Sequence, residues 1–279
     1  MTVPVRKALA AAGKYVLLLL MAAFCGFPFL WMFLTSVKPA PELYRTPPTF
    51  LPEQWVAAAY PEVWVNGRFV LYFWNSLLVA GFTTLLAVAL ATLAGYGFAR
   101  FRIPGGRAML LVMLFTQMFP AVLLAIPYYV LLRQLGLLNS LSGLVLVNTT
   151  FALPLATWTL RNYFLTMPKE LEEAALVDGC TRLGALWRVI LPVARPGVMA
   201  AAIFCFINAW NEFMFANTFI SRAALRTLPV ALHGLIGQYS TDWTLLMAGS
   251  VITTLPIAAV FLLVQRHLVS GLSAGSVKG

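Results

Sequence analysis

The side chains most often used for catalysis and metal binding are few in this sequence and stand apart from one another. The cysteines Cys25, Cys180 and Cys205 show neither metal-site spacing nor a pattern for disulfide pairing, and we expect them to be buried small hydrophobes. His233 and His267 have no second ligand or triad partner nearby. No nucleophile elbow, phosphate-binding glycine loop or dinucleotide fingerprint is present. We therefore predict that the chain is not an enzyme and holds no catalytic residue, metal or cofactor of its own.

Polar residues inside the apolar run 197–220 suggest a different kind of chemistry. Glu212 is the only acid of that run, and Asn208, Trp210 and Asn211 stand beside it. If the run crosses a membrane, an acid at that depth faces a cavity or a polar partner. Amides and aromatic rings also suit a hydroxyl-rich, weakly apolar solute. We predict that these four residues line a substrate path; a hydrogen-bonded helix–helix cluster and a docking point for a partner protein are the alternatives.

The composition of the chain excludes a water-soluble fold. Hydrophobic residues make up 61% of it and charged residues 10%, and the mean hydropathy is +0.86. Soluble domains are roughly 45–50% apolar and about 25% charged. Lipid must therefore be the solvent for much of the surface.

Continuous apolar runs of about 20 residues, the length that crosses a hydrocarbon core, recur along the sequence. They do not alternate as barrel strands do, so we predict helices, which satisfy their own backbone hydrogen bonds in lipid. The first run is too long for a signal peptide and lacks a cleavage pattern. We predict an all-α polytopic membrane protein with one transmembrane domain over residues 1–279. Its six spans are residues 15–34, 73–99, 108–132, 141–160, 197–220 and 245–263.

Basic residues are unevenly shared between the two sides of these spans. The richer side holds Arg6, Lys7, Lys14, Arg100, Arg102, Arg107, Arg161, Lys169, Arg182, Arg188, Arg195, Arg266 and Lys278. The poorer side holds Lys38, Arg45, Arg68, Arg133, Arg222 and Arg226. The richer side is predicted to be cytoplasmic, with both termini on it. The net charge of +10 then reflects topology and the anionic inner leaflet rather than a nucleic-acid partner.

Two further patterns bear on how the spans pack. The predicted outside loop 38–72 is rich in proline, which argues against one long helix there. In the second run a small residue returns at every fourth position: Ala87, Ala91, Gly95 and Ala99. Such a stripe predicts the close approach of another helix.

The segment 163–196, on the predicted cytoplasmic side, has the pattern of two short helices. Thr166 is a candidate N-cap for the first, and Gly179 is expected to end it in a left-handed conformation. The second is expected to start near Thr181 and to stop at Pro192.

Apolar residues are expected on one face of each short helix. In the first helix Leu171, Ala174 and Ala175 share a face. The second helix carries one apolar stripe, made of Leu183, Leu186, Trp187 and Ile190. The small alanine side chains would let the loop enter a groove on a partner protein. The alternative is an elbow that lies on the lipid headgroups.

This loop resembles the EAA loop of binding-protein-dependent ABC import permeases. The resemblance rests on Glu173-Ala174-Ala175, Gly179 and Val189-Ile190-Leu191-Pro192. Val189 stands where the family usually has isoleucine, and Cys180 where it usually has alanine. Further stretches are similar to the carbohydrate-uptake branch, and to its smaller maltose-type permease subunit in particular: Asn75-Ser76, residues 95–101, Pro120, Ile126-Pro127, residues 135–139, residues 209–213 and the tail 271–279.

The resemblance implies a type I ABC importer permease, a multi-pass protein of the bacterial plasma (inner) membrane. It implies a second permease subunit, two ATPase subunits that bind ATP and Mg, an extracytoplasmic solute-binding protein and a sugar substrate. The loop would be a coupling lever held in an ATPase cleft. Its expected coupling residues are Glu173, Ala174, Ala175, Asp178, Gly179, Leu191 and Pro192.

The solute implied by the resemblance is a di- or oligosaccharide, similar to maltose or trehalose. Glycerol-phosphate compounds and polyols, which the same branch carries, are the alternative. A secondary transporter fits less well, because the inverted repeats or buried ion pairs usual in such proteins are not visible. A membrane enzyme lacks a catalytic constellation.

Overall fold

A computed structural model describes the backbone of residues 3–276 and the side chains of residues 11–263 and of Gln265. Within that part of the chain all regular structure is helical. The main helices are α1 (Val3–Ser36), α2 (Phe69–Arg100), α3 (Gly106–Phe115), α4 (Ala121–Gln134), α5 (Leu141–Thr166), α6 (Glu170–Val177), α7 (Arg182–Ala185), α8 (Arg195–Trp210), α9 (Met214–Phe219), α10 (Leu228–His233) and α11 (Trp243–Ser276). Shorter helical turns are Ala40–Leu43, Ala59–Pro61, Glu62–Asn66, Thr116–Met118, Leu186–Ile190, Leu191–Val193 and Ala223–Leu225.

Membrane-spanning length and apolarity are found in several of these helices. Among the described residues, four segments qualify alone: Ala11–Ser36, Phe69–Arg100, Leu141–Thr166 and Trp243–Leu263. Two bent pairs also qualify, which gives up to six candidate spans. The predicted all-α polytopic fold is confirmed.

The third predicted span is broken rather than continuous. Gly106–Met118 and Ala121–Gln134 meet at an angle of 102°. Phe119, the residue before Pro120, is extended (ψ 129°), as steric conflict with a proline ring favours. The single helix expected over 108–132 is therefore two helices, because Pro120 removes a backbone donor and excludes the helical conformation before it.

The fifth predicted span also ends earlier than the sequence pattern suggested. Helix α8 stops at Trp210, and the separate short helix α9 begins at Met214. The intervening residues Asn211 to Phe213 are not helical, because Glu212 bonds the first backbone amides of α9 instead of extending α8.

The described residues fall into two compact units. The first comprises the chain up to Phe69 together with Leu232–Thr254. Its proline-rich loop contains short helical turns and no long helix, as the prolines predicted, and buried polar groups hold it in place. The ammonium of Lys38 donates to the carbonyl of Thr49 (2.5 Å), and the Thr49 hydroxyl donates to the carboxylate of Glu42 (2.5 Å). The Glu53 amide also donates to Glu42, at 3.2 Å.

The second unit comprises Val70–Ala231 and the residues from Leu255. Here the small-residue stripe of α2 faces α5, and Ala87 and Ala91 are fully buried. A Cβ added to Gly95 would lie 3.0 Å from the backbone nitrogen of Arg161 on α5. The predicted close helix approach is confirmed, and it places the far end of α5, from which the loop 163–196 leaves, against α2.

The orientation of the chain stays a prediction. Several residues on which it rests, Arg6, Lys7, Arg266 and Lys278, have side chains outside the described part. The three cysteines do not share one environment: Cys205 is buried, Cys180 is half-buried and Cys25 is exposed. Cys25 lies in the apolar helix α1, so its exposure is that of a lipid-facing position.

Candidate functional site

The first helix of the loop, α6, ends as the sequence predicted. Gly179 has φ +82°, a left-handed conformation that an L side chain adopts at a cost. The Cys180 amide donates to the Ala175 carbonyl (2.9 Å) and the Gly179 amide to the Leu176 carbonyl (3.1 Å). This pair of bonds is a Schellman cap, which satisfies the last carbonyls of the helix and turns the chain sharply.

The start of α6 differs from expectation. Thr166 is the last residue of α5, where its hydroxyl donates back to the Tyr163 carbonyl (2.7 Å), and it does not cap α6. Helix α6 begins instead at Glu170, after Lys169, with no side-chain cap. Three acids in its first turn, Glu170, Glu172 and Glu173, favour the positive end of the helix dipole.

Glu172 attaches the loop to α2 through buried polar contacts. Its side chain is 6% exposed, and its Oε1 accepts a hydrogen bond of 2.6 Å from the hydroxyl of Tyr96 on α2. Arg100, also on α2 and 3% exposed, places Nε 3.2 Å from Oε2 of Glu172, at an angle that makes an ion pair rather than a hydrogen bond. Arg100 also donates to the Met167 carbonyl (3.2 Å). The buried acid is thus paired, as a buried charge requires.

A second arginine reaches the same carboxylate from within the loop. Arg182, in the first turn of α7, lies 3.4 Å from Oε1 of Glu172 and is 57% exposed, so it is expected to add little. Its guanidinium also stacks over the ring of Phe101, 5.2 Å from the centroid. The two short helices are therefore tied both to each other and to the end of α2.

The second helix starts where the sequence predicted, because the Thr181 hydroxyl accepts a hydrogen bond from the Gly184 amide (3.1 Å). Its apolar residues do not form one buried stripe. Leu186 and Ile190 are fully buried, whereas Leu183 and Trp187 are 59% and 58% exposed. The segment Leu186–Ile190 is a π-helical turn, so the α-helical spacing used for the prediction does not hold. The helix also continues through Pro192 to Val193 before the chain bends by 83° into α8.

The predicted coupling residues divide by exposure. Glu173, Ala174, Asp178, Gly179 and Pro192 are exposed, and Leu191 is half-buried. Ala175 is 5% exposed and packs inward, so the predicted pair of alanines does not share one face. Exposed apolar side chains of Val177, Leu183 and Trp187 lie in the same loop.

The helices on either side of the loop pack closely. A Cβ added to Gly197 on α8 would lie 2.4 Å from Cγ of Tyr163 on α5, so any larger residue there would force the Tyr163 ring to shift. The buried side chains of Leu160, Phe164 and Ala201 belong to the same core as Leu186 and Ile190 of the loop. Motion of the loop is therefore expected to be transmitted to α5 and α8.

A cavity of about 440 Å³ lies among the helices of the second unit. It is lined by Gln117, Ala121, Asn148, Phe151, Ala152, Leu155, Phe204, Asn208, Ala209, Glu212, Phe213, Met214 and Phe215. Two of the four predicted path residues, Asn208 and Glu212, are in this lining. Trp210 is buried and stacks on Phe206, with ring centroids 5.6 Å apart, and Asn211 is exposed elsewhere.

The polar groups of the cavity differ in how they are satisfied. Glu212 accepts from the amides of Phe215 (2.6 Å) and Ala216 (3.0 Å), so its carboxylate caps the start of α9. Asn208 donates to the Phe204 carbonyl, and Gln117 to the Phe151 carbonyl, both at 2.8 Å. Asn148 is 6% exposed, and its Nδ2 has no hydrogen-bond partner in the described structure.

Sequence reasoning missed two functional candidates. Glu172 stands beside the motif residue Glu173, and only the three-dimensional proximity of Tyr96 and Arg100 singles it out. Asn148 carried a signal, a polar side chain in an apolar run, but nothing in the sequence tied it to Asn208. Among the described residues no group of three or more His, Cys, Asp or Glu side chains could hold a metal ion.

The second unit combines helices of membrane-spanning length and apolarity with a cavity among them and a compact loop between α5 and α8. The family of binding-protein-dependent transport system inner membrane components matches residues 87–274. The chain is 38% identical to the sulfoquinovosyl glycerol transport system permease protein of Agrobacterium fabrum, over 91% of this chain and 89% of that one. It is 35% identical to the trehalose/maltose transport system permease protein of Thermococcus litoralis, over 94% of each.

The chain therefore belongs to the family of binding-protein-dependent transport system inner membrane components. A crystal structure of a bacterial ABC transporter involved in the import of the acidic polysaccharide alginate contains a chain of the same fold. The two chains superpose with a TM-score of 0.78 and 24% sequence identity, covering 94% of this chain and 97% of that chain.

Proposed function

We propose that this chain is one of two permease subunits of an ATP-driven sugar importer, and that ATP hydrolysis takes place on separate ATPase subunits. The observation that carries the proposal is the loop 163–196. It presents Glu173, Ala174 and Asp178 to the outside and is anchored from inside by Glu172. An ATPase can displace the membrane helices only through a surface that is both exposed to it and rigidly attached to those helices.

The proposed mechanism begins at the ATPase. Binding of ATP and Mg by the partner subunits draws them together and displaces the loop. Because Glu172 ties α6 to α2 and Gly197 fits against Tyr163, the displacement moves α2, α5 and α8 together. Such rigid-body movement alternates the access of a central site between the two sides of a membrane.

The solute is proposed to be a neutral di- or oligosaccharide, similar to maltose or trehalose. The cavity combines three amide side chains with phenylalanine rings, and its lining includes Glu212 but no lysine or arginine. Amides bond hydroxyl groups, and apolar faces of a sugar pack on rings. A phosphate or sulfonate would meet an acid without a compensating cation, which weighs against the glycerol-phosphate alternative.

The decisive test is reconstitution. The chain would be co-purified with the second permease, the ATPase and the solute-binding protein that are encoded beside it, and the complex would be reconstituted in liposomes. We expect vanadate-sensitive ATPase activity that rises with the loaded binding protein, and uptake of radiolabelled maltose or trehalose. Uptake without an ATPase subunit would contradict the importer, and uptake of only phosphorylated or sulfonated solutes would contradict the neutral-sugar assignment.

A further inference from the structure

Three arginines line a second cavity that the transport mechanism does not use. This cavity, of about 570 Å³, is bounded by the end of α2, the start of α3 and the second half of α5. The basic residues in its lining are Arg102, Arg107 and Arg161, and no acid is among the lining residues. No salt bridge joins any of the three to an acid within residues 11–263.

Arg102 and Arg107 are exposed, whereas Arg161 is held close to the apolar surface. Arg161 is half-buried, its guanidinium lies 5.9 Å from the ring centroid of Trp158, and its Nε is buried without a hydrogen-bond partner. Its Nη1 donates at 3.2 Å to the side chain of Asn162. Three cations without an acidic partner surround one opening, and one of them has a buried donor that lacks a hydrogen-bond partner in the described structure, an arrangement that favours binding of an anion.

The remaining lining is apolar and lies at the end of membrane-spanning helices. Leu111 on α3 is 48% exposed and Ile103 is 38% exposed, and both border the cavity. Trp158 belongs to the residue type that concentrates at the membrane–water boundary. Basic pockets between membrane helices on the side with more arginine and lysine bind anionic headgroups.

We propose that this cavity binds the headgroup phosphate of an anionic phospholipid. Arg102, Arg107 and Arg161 would hold the phosphate oxygens, and Ile103 and Leu111 would contact the acyl chains. The lipid is the structural partner of the arginines at this end of the bundle. The assignment is independent of which solute the chain carries.

The lipid class can be tested on the purified importer that contains this chain. Native mass spectrometry would compare binding of phosphatidylglycerol with that of phosphatidylcholine of the same acyl chains. We expect phosphatidylglycerol to bind more tightly, and R107Q and R161Q each to weaken it about fivefold, since one basic residue near a lipid surface is worth roughly that factor. R107K should stay within about twofold of the parent because the charge is kept.

Arg133→Gln is the matched control. Arg133 is an exposed arginine at the end of α4 that also borders a cavity, but it is predicted to lie on the opposite side of the membrane. Arg107 is exposed, so R107Q keeps the test valid if R161Q fails to assemble with its partners.

Three results would overturn the proposal. The first is equal binding of the two lipids by the parent importer. The second is a loss in R107Q no larger than that in R133Q. The third is full displacement of phosphatidylglycerol by millimolar inorganic phosphate, which would assign the same arginines to a soluble phosphate.

Discussion

Tyr96 and Glu172 are 76 residues apart in the sequence, yet the Tyr96 hydroxyl donates a hydrogen bond of 2.6 Å to Oε1 of Glu172. With the Arg100 ion pair at 3.2 Å, it fixes the loop 163–196 to the end of α2. The loop is therefore attached by a buried charge cluster as well as by apolar packing.

Replacing Glu172 by Gln should destabilise the loop strongly. It leaves the buried Arg100 without a counter-ion, a change that costs about 3–5 kcal/mol in comparable sites. Tyr96→Phe should cost less, about 1.5–3 kcal/mol, because only one charged hydrogen bond is lost. Limited proteolysis of the assembled importer would measure both as cleavage between α5 and α8. Glu170→Gln, at an exposed position in the same helical turn, is the control, and equal cleavage in E172Q and E170Q would contradict the anchoring role.

Replacing Gly179 by Ala should weaken coupling although there is space for the methyl group. No atom lies within 4 Å of a Cβ built there, so the cost of about 1–2 kcal/mol comes from the left-handed backbone alone. We expect a lower solute-stimulated ATPase rate in G179A, and a larger loss with a bulky β-branched residue. Gly97→Ala is the matched control, because Gly97 also has open space but lies inside α2. Unchanged stimulation in G179V would argue against the lever.

Replacing Gly197 by Ala should separate α5 from α8. The added methyl would lie 2.4 Å from Cγ of Tyr163, and overpacking of this kind costs about 1–3 kcal/mol. A drop in thermal stability of the purified importer would measure it. The double variant G197A/Y163L, which removes the ring, should recover most of the loss. No recovery would mean that the strain lies elsewhere.

Replacing Asn148 by Ala should slow transport of the solute. Asn148 borders the cavity and its buried Nδ2 has no hydrogen-bond partner in the described structure. Under the proposed function the solute bonds this side chain, and a lost neutral hydrogen bond of about 1–1.5 kcal/mol corresponds to roughly a tenfold effect. The transport rate at saturating binding protein would report it. Asn211→Ala, whose side chain lies outside the lining, is expected to transport normally. A lower transport rate in N211A than in N148A would contradict the assignment of the solute site to this cavity.

The hydrogen-bonded network of Lys38, Glu42 and Thr49 should make the stability of the loop after α1 depend on pH. The hydrogen bond from Thr49 lowers the pKa of the Glu42 carboxyl below its ordinary value of 4.5. The ionised group therefore stabilises the folded state above pH 4.5, and the contribution is lost as pH falls through the lowered pKa. Thermal melting from neutral to acid pH should show a weaker dependence in E42Q than in the parent. E53Q, at an exposed site, should follow the parent.

Much of this fold could be predicted from the sequence, because apolar length and continuity dictate helices in lipid. The glycine cap at Gly179 and the close helix approach at Gly95 were also predictable. Each depends on a local property of one residue type, the absence of a side chain in glycine. The break before Pro120 follows from the restriction that a proline ring places on the preceding residue, but its angle of 102° could not be predicted. The prediction of one apolar stripe from Leu183 to Ile190 was wrong, because a π-helical turn changes the spacing of side chains along the helix.

The candidate site was less predictable, because it depends on contacts between distant segments. Asn208 and Glu212 were expected together and line one cavity, whereas Trp210 turns away to stack on Phe206. The partner of Glu172 could not be chosen from many basic and hydroxyl-bearing residues without coordinates. The arginine cavity likewise joins residues from three helices that have no sequence motif in common.

The anchor of the loop has a consequence for how such transporters diversify. Glu172 holds its inner side, while Val177, Leu183 and Trp187 are exposed on its outer side. Anchorage and recognition are thus carried by different residues of one short segment. Under the proposed coupling role, substitutions on the outer side would change which ATPase is accepted while the connection to the membrane helices is preserved, so a permease of this design would acquire a new ATPase subunit without being rebuilt.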